Sequence, residues 1–122
     1  MSRSQTNRLL LASIGAAVGC DDQPFRRAVE RVADWERAAA VADRAGIAPL
    51  LGEAVRRCGA ADRLPDAVRA GLQRSGHVTG IRNAALQDEL LRVLDGFERA
   101  DIETILLKGA AFAETLWHDL SL

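Results

Sequence analysis

Through most of the first hundred positions, apolar residues recur every three or four places, which predicts a run of amphipathic helices. Leu10, Leu11, Ile14, Ala17 and Val18 fall on one face of a first helix, with Ser4 or Thr6 near its cap. Asp21, Asp22 and Pro24 open a second, short helix, because an acidic cap followed by proline suits first-turn amides that need no intrahelical partner. Phe25, Val29 and Val32 are its apolar positions. Asp34 caps a third helix over 35–45, striped by Trp35, Ala38, Ala39 and Ala42 and ended by Gly46. Ile47-Ala48-Pro49 starts a fourth, which turns Leu50, Leu51, Ala54, Val55 and Cys58 inward and stops at Gly59.

The longest helical pattern runs over 65–100, beginning at Pro65. Val68, Leu72, Leu86, Leu90, Val93 and Phe97 follow steps of three and four, while Ser75 and Thr79 weaken the stripe. Gly71, Gly76 and Gly80 each cost about 1 kcal/mol relative to alanine, so a kink or break is expected near 75–80. The spacing of Gly76 and Gly80 suits close packing against a neighbouring helix. At Asp101 the pattern changes. Ile102-Glu103-Thr104-Ile105-Leu106-Leu107 is short, apolar and β-branched, which reads as a buried strand; Lys108-Gly109 and a helical stretch over 110–117 follow. A lone strand needs others to pair with, so the chain reads as a helical domain over 1–100 and an incomplete second domain over 101–122.

Composition supports a helical globule. Alanine (22) and leucine (16) dominate the 122 residues and tyrosine is absent, a mixture that favours helices over strands. Sixteen basic residues balance seventeen acidic ones, which argues against a polybasic nucleic-acid arm. A chain of this size hides roughly 65% of its unfolded surface, enough for a core without disulfide or metal staples. Cys20 and Cys58 are far apart and lack zinc-site spacing, so they read as free thiols in a reducing cytoplasm. Near the N-terminus, Arg3 and Arg8, a short apolar stretch and Gly19-Cys20 also have the outline of a bacterial lipoprotein signal. That stretch is too short to span a bilayer, no membrane partner is expected, and the amphipathic helix is the preferred reading.

Candidate chemistry gathers at Leu107-Lys108-Gly109-Ala110-Ala111. A strand that delivers a glycine to the first turn of a helix exposes backbone N–H groups at the positive end of the helix dipole, an arrangement that binds phosphate. Lys108 adds a compact charge and is the only lysine beside fifteen arginines. A tight turn with a solvated lysine is the plainer reading of the same residues. His118-Asp119 could form an acid/base pair or lie in a polar loop, and Glu89 is placed to pair with Arg92 on a helix surface. Six arginines from Arg56 to Arg82, against Asp62 and Asp66, read as a solvated face first and a nucleotide- or RNA-facing one second, since no aromatics interleave.

In their order along the chain, Arg8-Leu9-Leu10-Leu11-Ala12, Trp35, Ala45-Gly46-Ile47-Ala48-Pro49-Leu50-Leu51, Leu64-Pro65, Arg82-Asn83, Glu89-Leu90-Leu91 and Leu106-Leu107-Lys108-Gly109-Ala110-Ala111 resemble a family of bacterial nucleotidyltransferases in the DNA polymerase β superfamily. The resemblance implies a mainly α fold: a helical N-terminal bundle followed by the first strand–helix unit of an α/β nucleotidyltransferase core. It also implies that Lys108, Gly109, Ala110 and Ala111 contact a nucleoside triphosphate, and that the complete enzyme uses Mg²⁺ held by an Asp-x-Asp pair. No Asp-x-Asp follows Gly109, so neither metal nor activity is expected of these 122 residues alone. The alternative is a non-catalytic helical module that self-associates or binds a protein partner through its unpaired strand; nucleic acid is not the expected partner.

Overall fold

The computed structural model describes residues 1–107, 109–112, 119, 121 and 122. Its elements are α1 (Arg3–Ala17), α2 (Gln23–Val29), α3 (Trp35–Arg44), α4 (Ala48–Arg57), a 3-10 turn at Ala61–Arg63, α5 (Asp66–Arg99) and α6 (Gly109–Phe112). The chain divides into two compact units, Met1–Gly76 and His77–Leu122, with the boundary inside α5.

In the first unit, α1 packs on α2, α3 and α4, and α3 packs on α4. Local signals set each helix. Asp34 caps α3 by accepting from the Arg37 N–H at 2.9 Å, and prolines occupy the first turns of α2 and α4. For α1 the cap is Ser2 rather than Ser4 or Thr6. Ser2 Oγ accepts from the Gln5 N–H at 3.2 Å while Gln5 Oε1 accepts from the Ser2 N–H at 2.8 Å, a reciprocal box that only Ser2 can form with Gln5.

The face that α1 buries also differs from the one expected. Thr6, Leu9, Leu10, Ser13, Ala16 and Ala17 are buried, whereas Leu11 is 70% exposed. Leu9-Leu10-Leu11 is apolar on every side, so its period cannot select a face. Two hydroxyls decide it by donating to α1's own carbonyls: Ser13 Oγ to Leu10 O at 2.6 Å and Thr6 Oγ1 to Ser2 O at 3.3 Å. Satisfied in this way, they enter the core with little desolvation cost. Phe25, Leu9 and Leu51 are its largest fully buried apolar side chains, and Trp35, Leu64, Val68 and Leu72 complete it.

The second unit is different. From His77 onward, no described residue is buried. α5 runs unbroken through 75–80, where a kink or break was expected, so no break occurs there. Glycine weakens a helix without deleting a hydrogen bond, unlike proline, so the ladder continues. A Cβ on Gly80 would lie 3.5 Å from the Ser121 Cβ, so the close approach there is to Ser121, while a Cβ on Gly76 would meet nothing.

The expected buried strand is not seen. Residues 102–107 carry no regular secondary structure and are exposed, Ile105 at 87%, and there is no strand among the described residues. A strand needs a second strand to receive its N–H and C=O groups, and none is within reach here. The following helix is seen as α6; residues 113–117 of the expected 110–117 helix lie outside the described ones. The structure is thus mainly helical, without the strand–helix unit.

Candidate functional site

How α5 ends fixes where the candidate junction begins. The Ile102 N–H donates to Phe97 O at 2.9 Å and the Asp101 N–H to Glu98 O at 3.0 Å, with Asp101 at φ 58°. This is a Schellman turn, in which a left-handed residue lets the chain fold back over orphan carbonyls. α1, α3 and α4 end in the same paired bonds, with Gly19, Gly46 and Gly59 at the left-handed position (φ 73°, 71° and 64°). Only at α5 does a residue with a side chain take that strained place. Below the turn, a concavity of about 370 Å³ is edged by Glu98, Asp101 and Glu103, whose charge repels phosphate.

Beyond 102–107, Gly109, Ala110 and Ala111 fall together in the single turn of α6. Gly109 is exposed, has no positive φ, and a Cβ built on it meets no described atom within 4 Å. Ala111 is half-buried. Lys108, the charged member of the set, lies outside the described residues, as does His118. Asp119 Oδ1 accepts from the Ser121 N–H at 2.7 Å and its hydroxyl at 2.6 Å, closing a local turn.

Other sequence candidates resolve into surface chemistry. Glu89 pairs with Arg92 at 3.1 Å, as its spacing indicated. Among the arginines from Arg56 to Arg82, Arg56 pairs with Glu53 at 2.6 Å and Arg69 pairs with Asp66. Cys20 is exposed and Cys58 buried, both as free thiols. Burial pushes the Cys58 thiol pKa up and the Asp22 carboxylate adds to this, against an opposing pull from Arg26 and Arg57. Among the described residues, no three His, Cys, Asp or Glu side chains converge in a way that could hold a metal ion. Among the described residues, no helix is long and apolar enough to cross a membrane.

Two concavities in the first unit had no sequence counterpart. An open groove of about 730 Å³ between α1 and α2 has an apolar floor that includes Leu11, Ala28 and Val32, edged by Arg8, Arg27 and Arg31. A second, more polar cleft of about 350 Å³ lies between α1 and α3.

Residues 31–122, from the end of α2 to the last residue, match a family described as uncharacterised nucleotidyltransferase. No curated protein and no solved structure matches the chain.

Proposed function

The chain belongs to the uncharacterised nucleotidyltransferase family, and from that premise we propose that it takes part in transferring a nucleotidyl group from a nucleoside triphosphate to an acceptor. The observation that carries this reading is the extent of the match, which includes Leu107-Lys108-Gly109-Ala110-Ala111. In the complete enzyme, read as a bacterial, cytoplasmic member of the DNA polymerase β superfamily, Lys108 and the amides of Gly109, Ala110 and Ala111 contact the triphosphate. Backbone N–H groups in the first turn of a helix point toward its N-terminal end, where they suit an anionic oxygen. The helical region 1–100 shapes the site, and 101–122 opens the transferase core.

Transfer of this kind uses Mg²⁺, which neutralises the triphosphate and the leaving pyrophosphate. The described residues do not fit that ion, because no three suitable side chains converge. The 122-residue chain alone is expected to be inactive. The test is transfer of label from α-labelled nucleoside triphosphates, with Mg²⁺, by this chain and by a protein extended through its downstream coding sequence. Transfer only by the longer protein, reduced at least tenfold by Lys108→Ala, is the expected result. Undiminished transfer in that variant would remove the lysine from the site.

A second reading is favoured by one observation: Val78, Ile81, Leu86, Leu91, Ile105 and Leu107 are all more than half exposed. Such a surface suits a non-catalytic helical module that self-associates or receives a partner protein along 102–107. A monomer by size-exclusion chromatography with light scattering, at all accessible concentrations, would count against self-association.

A further inference from the structure

The polar cleft between α1 and α3 is lined by Arg3, Thr6 and Asn7 from one helix and Arg37, Val41 and Arg44 from the other. Three arginines therefore line one space of about 350 Å³, and no acidic residue lines it. Five arginines elsewhere (Arg26, Arg56, Arg69, Arg92 and Arg99) each pair with a carboxylate three or four residues away, while others such as Arg8, Arg27 and Arg31 do not, so it is the convergence of three on one cleft that sets this place apart. Arg3, Arg37 and Arg44 make no ion pair among the described residues; Arg37 only reaches the Met1 carbonyl, at 3.5 Å. Asp34, three residues before Arg37, is engaged as the α3 cap, and Glu36, next to Arg37 in the chain, makes no ion pair with it.

Helix electrostatics do not explain this arrangement. Arg3 and Arg37 stand in the first turns of α1 and α3, at the positive ends of the helix dipoles, where a cation is disfavoured. Only Arg44, in the last turn of α3, is favoured by its own helix. Three like charges around one cleft repel each other until an anion enters. The Thr6 hydroxyl is already committed to Ser2 O, which leaves the Asn7 amide as the neutral donor.

We propose that this cleft is a binding site for a small phosphorylated anion carrying two or more negative charges, held by Arg3, Arg37 and Arg44 with Asn7. Guanidinium forks match phosphate oxygens in pairs, and an oligophosphate offers several such edges to arginines arriving from two helices. The site is built wholly from α1 and α3 and owes nothing to Gly109 or to nucleotidyl transfer, so it stands or falls separately from the function proposed above.

The test is calorimetric titration of the 122-residue chain with inorganic pyrophosphate at low ionic strength, with inorganic triphosphate and a nucleoside triphosphate as parallel arms. Saturable one-site binding is expected, weakened at least tenfold by Arg37→Gln with Arg44→Gln and again by Arg3→Gln. All three side chains are exposed, so circular dichroism and the thermal midpoint should not change. Equal binding of inorganic and nucleoside triphosphate places recognition in the phosphates, as proposed; binding of the nucleoside form alone overturns it. So does the lack of saturable binding at millimolar pyrophosphate, or binding that survives the double substitution.

Discussion

The two compact units use the same helical vocabulary to opposite effect. In Met1–Gly76, stripes of leucine, valine and alanine meet each other, and every buried residue of the described chain lies between Thr6 and Leu72. In His77–Leu122, Leu86, Val93 and Phe97 repeat at the same helical spacing yet remain 58%, 43% and 39% exposed. Periodicity thus specifies which face of a helix is apolar. It does not specify what covers that face, which depends on whether neighbouring elements are present.

The sharpest way to break this contrast is to truncate one phenylalanine in each unit. Phe25→Ala empties a fully buried site and should cost about 3–5 kcal/mol in urea unfolding, whereas Phe97→Ala should stay within about 0.5 kcal/mol. Comparable losses at both positions would mean that the second unit hides a core of its own. A smaller effect, opposite in sign, is expected at the end of α5. Asp101→Gly relieves a left-handed residue and should raise the thermal stability of α5 by about 1 kcal/mol, an increment that glycine already supplies at the ends of α1, α3 and α4.

Smallest is a pH effect confined to the first unit. The folded Cys58 pKa is raised, so the unfolded chain loses that proton first as pH rises. The contribution to stability is full below the unfolded thiol value of about 8.5 and is lost as pH climbs through the raised folded value. Urea midpoints measured from pH 7 to 10 should therefore fall, and Cys58→Ala should flatten that part of the profile. At pH 8, alkylation should modify exposed Cys20 well before Cys58.

How much of this was legible in the sequence follows the range of the forces involved. α2, α3 and α4 were readable because Asp21, Asp34, Pro24, Pro49, Gly46 and Gly59 act within one turn of the backbone they shape, although Asp22, at the N-cap of α2, makes no side-chain cap bond. The buried face of α1 was not, because it turns on two hydroxyls satisfying themselves inside the helix. Residues 102–107 have strand composition, yet a strand is a property of a pair, and no second strand is present among the described residues. At the candidate junction, the grouping of Gly109, Ala110 and Ala111 in a helical turn was visible beforehand, while Lys108 lies outside the described residues. The three-arginine cleft is not legible in the sequence because α1 and α3 lie some thirty residues apart. Its one local trace was the spacing of Arg37, Val41 and Arg44 along a single face.

The packing of α1 and α2 bears on how this protein can be dissected. The family match begins at residue 31, but Leu9, Leu10, Phe25 and Val29 belong to the same core cluster as Leu51 and Ala54 of α4. Cutting the chain where the match starts would strip that cluster of one wall and leave a sticky, aggregation-prone remainder. The stretch that kinship identifies and the stretch that folds are therefore not the same piece of polypeptide, and expression boundaries should follow the second.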